Sequence, residues 1–322
     1  MKKLCMPVFY VLLPLIIPMM VGLTFPRTTG SHISFPFSNK GEISDTITTL
    51  NVKTGTTEKI PMETYLVGVL AAEMPASYEE EALKAQAVAA RSYIFSKLDT
   101  ENPNHPSAQV CTDPNHCKGW LSEEDAKAKW NTADKNKYWK KLANAVKSTS
   151  GEYMTYKDQV VEAFFFASSG GKTENSEDVW SSSRPYLKSV ESYGESLAED
   201  NISTVTFTHT QLAEKLTPHL SQTLDPSKPP SIGEPVRTEG GSVSTISIAG
   251  KTFKGTELRS ILGLKSANFT VSATDTTVTF TVKGYGHGVG MSQTGANYMA
   301  KEGYTYKEIL SHYYTDIEFS KL

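Results

Sequence analysis

One acidic residue, Glu73, stands where two helical patterns meet between Met62 and Phe95. It continues an apolar stripe spaced three or four residues apart, formed by Met62, Leu66 and Val69. We therefore expect Glu73 to point inward, near the negative end of its helix dipole, where both burial and the dipole favour the protonated carboxyl. A carboxyl that keeps its proton suits general acid catalysis. A purely structural glutamate, bonded to backbone amides or paired with an arginine, fits the same pattern.

The two helices around Glu73 have recognisable ends. Pro75 disfavours helical geometry at Met74, which predicts that the first helix stops at about Glu73. Ser77 and Glu80 have the spacing of a capping box, which predicts the start of the second helix. The second helix has little side-chain bulk, which favours close packing against the first through Ala82, Ala85, Ala87, Ala89 and Ala90.

A candidate metal-binding loop contains His105, Cys111 and Cys117, separated by five residues at each step among prolines and a glycine. Zinc binds histidine nitrogen and cysteine thiolate, and His116 could supply a fourth ligand. A disulfide between Cys111 and Cys117 is equally compatible with the spacing, since nearby cysteines outside the membrane often pair. The patterns typical of zinc deaminases and of the His-Glu-x-x-His peptidases are absent. A zinc here would therefore shape the loop.

Two further segments carry small and polar residues suited to binding a ligand. Gln159 to Ala167 predicts a buried strand, and the loop after it offers hydroxyls and backbone amides at Ser168, Ser169, Gly170 and Gly171, followed by Lys172. An ordinary polar turn would look the same. Lys172, Glu174 and Trp180 could complete a saccharide site, although Trp180 could equally be core.

The second segment alternates glycines at Gly284, Gly286, Gly288 and Gly290, which predicts unusual dihedral angles or close backbone approach. Their spacing fails the Gly-x-Gly-x-x-Gly pattern, so nucleotide binding is not expected. Ser292 is placed to cap the next helix. His287 and Gln293 could face a groove and orient Glu73 or bind sugar, and a histidine satisfied within a tight turn is the alternative.

Three separated motifs occur in the order EMPASYEEEALKAQAVAARSY, FFFASSGGKTENSEDVW and GYGHGVGMSQTGANYMAKEGYTYKEILSHYY. Together they resemble the stage II sporulation protein D family, from about Thr46 to Glu318. The resemblance implies a lytic transglycosylase of peptidoglycan that acts during forespore engulfment, with Glu73 as its catalytic glutamate. It also implies zinc bound by one histidine and two cysteines, and a sporulation amidase, stage II sporulation protein P, as partner. Amidase enhancers share parts of this domain, which leaves a non-catalytic wall-binding module as an alternative.

The presence of a single strong acid candidate limits which glycan-cleaving mechanisms are possible. Ordinary glycosidases use two carboxylates, whereas a lytic transglycosylase can manage with one. Glu162, Glu174 and Asp178 are candidates for a second carboxylate. If one of them lay across the groove from Glu73, a lysozyme-like hydrolase would be the nearer interpretation.

The N-terminus predicts a membrane attachment. Lys2 and Lys3 precede an uncharged run from Leu4 to Thr24, long enough to cross a bilayer, and no Ala-x-Ala cleavage site follows. We predict a signal anchor at 1–25, a tether at 26–44, and a catalytic domain at 45–322 with a subdomain or insertion at about 190–283. The protein would then cross the cell membrane once, with its catalytic domain outside the cytoplasm, which the resemblance places between the mother-cell and forespore membranes.

Composition and strand patterns set the fold class. Of 322 residues, 39% are hydrophobic, enough for a sizeable core, and a net charge of -3 gives no reason to expect nucleic acid. Hairpins are predicted around Thr54-Gly55-Thr56 and Thr274-Asp275-Thr276, a strand at 242–249, and one or two helices at 123–147. Strands and helices are segregated, so we expect an α+β fold in which the helical pair carrying Glu73 packs with mixed or antiparallel sheets.

Overall fold

The structure, a computed structural model, describes residues 46–98, 102–113, 116–130, 133–180, 182–198, 200–221 and 223–322. The predicted signal anchor and tether lie outside these residues. Within them, every helix is too short or too polar to span a bilayer.

Nine α-helices occur in the described part of the chain. They are α1 (Met62–Glu73), α2 (Glu80–Phe95), α3 (Glu123–Lys129), α4 (Lys135–Ser148), α5 (Ser176–Val179), α6 (His209–Leu216), α7 (Gly255–Leu262), α8 (Gln293–Lys301) and α9 (Tyr306–Tyr313). Two short 3-10 turns are also present, at Glu195–Leu197 and Thr217–His219.

The strands form several small sheets. They are β1 (Thr46–Asn51), β2 (Thr56–Pro61), β3 (Val110–Cys111), β4 (Glu152–Tyr156), β5 (Gln159–Val160), β6 (Phe165–Phe166), β7 (Ile202–Thr208), β8 (Val236–Arg237), β9 (Val243–Ile248), β10 (Lys251–Lys254), β11 (Phe269–Ala273), β12 (Thr277–Lys283), β13 (Met291–Ser292) and β14 (Glu318–Lys321). The strand orders are β2-β1-β3, β10-β9-β8, β11-β12-β7, β13-β6 and β14-β4-β5. Pairing is antiparallel except for β1 with β3 and β13 with β6. The α+β expectation is confirmed.

The larger hydrophobic core is built around α2. This helix packs against α1, α4, α8, α9 and β4. Its five alanines are all fully buried, so the absence of side-chain bulk does allow neighbouring backbones to approach closely. The helix that carries Glu73 is therefore held by a rigid neighbour.

A second hydrophobic core lies between residues 202 and 283. This core is formed by strands of the β7–β12 segment and by helices α6 and α7. Its buried side chains include Phe207, Phe253, Phe269 and Phe280. Both predicted hairpins and the strand at 242–249 are present, as β1-β2, β11-β12 and β9. The segment at 123–147 forms two helices, α3 and α4.

Two local predictions were wrong. Ser77 does not cap α2, which begins at Glu80 with Glu79 as its N-cap. The Glu79 N–H instead donates to Asn297 Oδ1 on α8 at 2.8 Å, so a tertiary contact replaces the local capping box. The apolar run at 159–167 is not one strand. It divides into β5 and β6, because β5 pairs with β4 and β6 pairs with β13 in a different sheet.

A fully buried arginine, Arg91, joins α2 to its surroundings. Its Nη2 and Nε donate to the two carboxylate oxygens of Glu63 on α1, at 2.8 and 3.1 Å. Its Nη1 donates to the Glu152 carbonyl on β4 at 2.9 Å. Bidentate pairing and carbonyl bonds together satisfy a charge that would be costly to bury alone.

We expect Arg91→Ala to lower the free energy of unfolding by about 3 kcal/mol, because it removes a fully buried side chain and leaves the Glu63 carboxylate and the Glu152 carbonyl without their donor. Urea unfolding measures this. The matched control is Lys84→Ala, which removes a cation on the same helix paired with the surface residues Glu80 and Glu81 at 2.9 and 2.8 Å. That change should cost at most about 1 kcal/mol. Equal losses from the two variants would contradict the role assigned to Arg91.

Candidate active site and metal-binding loop

Glu73 is the last residue of α1, as the sequence predicts. Met74 is extended, with φ -129° and ψ 140°, as the following proline requires. The Glu73 side chain is half-buried, and its Oε1 accepts a hydrogen bond from the Gly119 N–H at 2.8 Å. The carboxyl is thus oriented by a backbone amide of the candidate metal-binding loop. Among the described residues, no arginine forms an ion pair with it.

Glu73 lines an open pocket of about 480 Å³. Small residues of the α1–α2 connection form one side of it, and Gln293 and Thr294 at the start of α8 form another. Trp130 and Tyr138 supply an aromatic corner, with ring centroids 5.8 Å apart and planes at 80°. Aromatic faces, amides and hydroxyls around a single carboxyl are suited to binding a polar ring such as a sugar.

A buried cation, Lys118, lies beside the site. Its ammonium sits over the rings of Tyr93 and Phe165, 4.1 and 4.0 Å from their centroids. Burial lowers the pKa of Lys118 to about 8, and the neighbouring charge of Glu73 opposes that effect. Lys118 was not predicted from the sequence, because only the fold brings it near Glu73. Its position next to Cys117, in the loop predicted to bind a metal, was the available signal.

His287 is a satisfied histidine in a tight turn. Its Nδ1 accepts the Val289 N–H at 3.1 Å, and its ring packs among Phe166 and Trp180, with centroids at 5.6 and 5.2 Å. Burial, helped by the charge of Lys118, lowers the pKa of His287 to about 3, so the ring is neutral. It does not line the Glu73 pocket. The four neighbouring glycines all have positive φ, between 77° and 122°.

The Ser-Ser-Gly-Gly loop is divided between two environments. Ser168 pairs with Tyr285 as an isolated bridge, and Ser169 is buried beside Glu195. Gly170, Gly171 and Lys172 line a second cavity of about 480 Å³, whose other lining residues include Arg237, Glu239, Asn268 and Lys283. A Cβ on Gly170 would stand 2.2 Å from the Asn268 Nδ2, so packing within the protein accounts for this glycine. Of the predicted substrate-binding residues, the structure places only Gln293 in the pocket with Glu73.

The other carboxylates considered do not line the Glu73 pocket. Glu162 is paired with Lys97 and Arg184, and although burial raises its pKa, these two cations hold it below the usual value. Glu174 accepts the Ser242 N–H at 3.1 Å, and Asp178 accepts from Asn175 at 3.0 Å. Among the described residues, Glu73 is therefore the single carboxyl in its pocket.

The predicted metal ligands do come together. His105, Cys111, His116 and Cys117 place one ligand atom each within 4.8 Å of one another, and both cysteines are free thiols. Cys117 Sγ lies 3.3 Å from His105 Nε2 and 3.4 Å from His116 Nδ1. The His105 Nδ1 lies 2.8 Å from the Ala108 carbonyl, a contact that leaves Nε2 free to bind a metal. Two imidazoles and two thiols form a set that could hold a metal ion.

The candidate metal-binding loop is docked on α1. Its β3 pairs with β1, and the Leu121 N–H donates to the Gly68 carbonyl at 3.1 Å. The Trp120 indole stacks on Tyr65, with centroids 6.4 Å apart and planes at 10°. The same loop supplies Gly119 to the Glu73 carboxyl, so the metal cluster and the candidate acid share one rigid frame.

Comparison with known proteins identifies the family. Residues 51–156 match the model of the family described as SpoIID, stage II sporulation protein. The chain is 42% identical over 265 residues to stage II sporulation protein D of Bacillus subtilis (strain 168), covering 82% of this chain and 76% of the relative. The chain belongs to the stage II sporulation protein D family. A second family member, from Bacillus amyloliquefaciens, is 40% identical over 266 residues, 82% of this chain and 75% of the relative.

This chain is also similar, at lower identity, to a protein of different name. The amidase enhancer of Bacillus subtilis (strain 168) is 32% identical over 309 residues, which cover 77% of this chain and 39% of the enhancer. The resemblance inferred from the three motifs is confirmed, and the chain is a sporulation protein.

Gly68→Ala tests the docking of the loop on α1. A Cβ at Gly68 would stand 2.2 Å from the Trp120 Nε1 and 2.6 Å from the Leu121 carbonyl oxygen. This overlap should outweigh the roughly 1 kcal/mol that alanine adds to a helix. We expect a net loss of about 2 kcal/mol and a melting temperature about 4–8 °C lower, measured by circular dichroism.

The matched control is Thr64→Ala, on the exposed side of the same helix. It should leave the melting temperature within about 1 °C, as surface substitutions usually do. A Gly68→Ala protein as stable as this control would show that the loop does not pack against α1 as described.

Proposed function

We propose that this protein is a lytic transglycosylase that cuts the glycan strands of peptidoglycan during sporulation. The observation that carries the proposal is the single carboxyl, Glu73, in a pocket with an aromatic corner and amide and hydroxyl groups. An ordinary glycosidase places a second carboxylate across its groove, and the described residues offer none in this pocket. The family membership supplies the sporulation context.

In the proposed reaction, Glu73 first donates its proton to the oxygen that joins N-acetylmuramic acid to N-acetylglucosamine. As a carboxylate it then removes the proton from the C6 hydroxyl of the same muramic acid, whose oxygen attacks C1. The glycosidic bond breaks and a 1,6-anhydromuramic end forms. The nucleophile belongs to the substrate and has a high effective molarity, so no positioned water is needed.

The groups around Glu73 fit both halves of this cycle. The Gly119 N–H holds one carboxyl oxygen in place, leaving the other free to exchange the proton. The buried charge of Lys118 stabilises the carboxylate that remains after the first proton transfer, since few water molecules screen it. Gln293, which lines the same pocket, would bind a polar substituent of the sugar.

Zinc is the metal we assign to the His105, Cys111, His116 and Cys117 cluster. Tetrahedral coordination by two imidazoles and two thiolates is typical of structural zinc. When bound, the ion would close the loop that ends at Gly119 and so fix the hydrogen bond to Glu73. The reaction itself needs only the carboxyl.

Location and partner are part of the same proposal. The signal anchor at 1–25 would attach the protein to the membrane, with the catalytic domain facing the wall between the mother-cell and forespore membranes. A sporulation amidase, stage II sporulation protein P, would remove stem peptides and prepare the strands. The alternative function is a non-catalytic stimulator of an amidase, favoured by the distant similarity to a protein named amidase enhancer.

Glu73→Gln separates enzyme from stimulator. The amide keeps the shape of the carboxyl and its acceptor oxygen for Gly119, and lacks the acid. We expect the variant to bind purified glycan strands and to release no detectable anhydro-sugars or anhydromuropeptides, measured by liquid chromatography with mass spectrometry. Glu79→Gln, an exposed change near the same pocket, should retain full activity. Unchanged product release by Glu73→Gln would rule out the proposed acid.

The metal assignment predicts stoichiometric zinc in protein purified without chelator, measured by elemental analysis. Cys117→Ser should remove most of the zinc, and chelation of the native protein should lower its melting temperature by several degrees, because metal that binds only the folded state stabilises it. Metal-free protein in which mass spectrometry finds Cys111 linked to Cys117 would instead establish the disulfide.

A further inference from the structure

A pocket of about 320 Å³ lies next to the Glu73 pocket. It is distinct from the cavity at Gly170 and is called here the second hollow. Helix α8 connects the two, since its first turn borders the Glu73 pocket and the rest of it borders the second hollow. The second hollow is lined by Thr294, Asn297, Tyr298 and Lys301 of this helix. Their spacing of three, one and three residues places them on one helix face. One side of α8 thus runs along both hollows.

The ridge between the hollows carries polar groups. Tyr78 and Thr294 border both of them, and their hydroxyl oxygens lie 3.4 Å apart. The bond from the Glu79 N–H to Asn297 Oδ1 fixes this ridge to α8. Two hydroxyls on a shared rim offer donors and acceptors to a chain that passes from one hollow to the other.

The floor of the second hollow is an apolar platform. A Cβ on Gly194 would stand 2.1 Å from the Tyr298 Cγ, so the tyrosine ring lies directly on the glycine backbone and is held there. Leu197, whose exposed fraction is 73%, adds an apolar wall. An aromatic ring and an apolar wall among amide, hydroxyl and ammonium groups are suited to the apolar face and polar rim of a pyranose.

We infer that the second hollow is a further saccharide subsite, in which the glycan strand continues along α8 beyond the bond at Glu73. Thr294 and Lys301 are separated by about 10 Å along the helix axis, at 1.5 Å per residue, which a disaccharide can span. The inference rests on the proposed function, because the strand in the subsite is the strand that Glu73 cuts.

The subsite has a definite kinetic consequence. Its contacts lie away from the reacting atoms and are the same before and during bond cleavage. Such uniform binding lowers KM and leaves kcat unchanged. Long strands that fill both hollows should therefore bind more tightly than short ones that fill only the first.

The test uses the Glu73→Gln background, so that binding is measured without cleavage. We expect muramic-acid-containing glycans of four disaccharides to bind at least 10-fold more tightly than single disaccharides in isothermal titration. Adding Tyr298→Ala should remove most of that difference and leave the affinity for the single disaccharide unchanged. Leu197→Ser is a second variant that does not touch the core, and it should weaken only the long strands.

The matched control is Tyr304→Ala, which removes an aromatic side chain with an exposed fraction of 45% outside both hollows. It should bind strands of both lengths normally. Equal affinity for long and short strands, or long-strand binding unaffected by both Tyr298→Ala and Leu197→Ser, would overturn the subsite. Strand binding that depends on Tyr298, together with a protein that releases no anhydro-sugar even with Glu73 intact, would keep the subsite and reject the cleavage reaction.

Discussion

The hydrogen bond from the Gly119 N–H to the Glu73 carboxyl connects every part of the proposed site. On one side of it, α1 ends at Glu73 because Pro75 stops the helix. On the other, a loop with four metal-ligating side chains is docked on α1 through Trp120 and Leu121. The acid is thus held by two elements whose own positions are fixed by packing, which is what a preorganised catalytic group requires.

Burial and pairing explain why some ionisable groups are structural and others could act in the proposed site. Arg91 is held by an ion pair with Glu63 and a bond to a carbonyl, and Glu162 is held by ion pairs with two cations, which makes both residues structural. His287 is neutral and satisfied within its turn. Lys118 differs, because aromatic rings surround its ammonium and Glu73 is among the few opposite charges near it. A cation held in this way strengthens its interaction with a neighbouring carboxylate.

The sequence predicted most features that depend on local chemistry. The end of α1 follows from Pro75, the cap of α8 from Ser292, and the metal loop from His105 and its cysteines. What it missed depends on contacts between distant segments. At the start of α2, the side chain of Asn297 accepts the backbone hydrogen bond in place of the predicted cap, Ser77. The apolar run at 159–167 is divided because its two ends pair in different sheets. The Ser-Ser-Gly-Gly loop matched a motif, yet packing against Asn268 gives Gly170 a structural reason.

The central claim is that one carboxyl cuts the strand by using the muramic acid's own hydroxyl. Digestion of purified, peptide-free glycan strands in water enriched with heavy oxygen tests it most directly, with the products analysed by mass spectrometry. The account predicts muramic ends that lack one water relative to reducing ends and carry no heavy oxygen. Reducing ends labelled with heavy oxygen would contradict it, because solvent water would then have been the nucleophile.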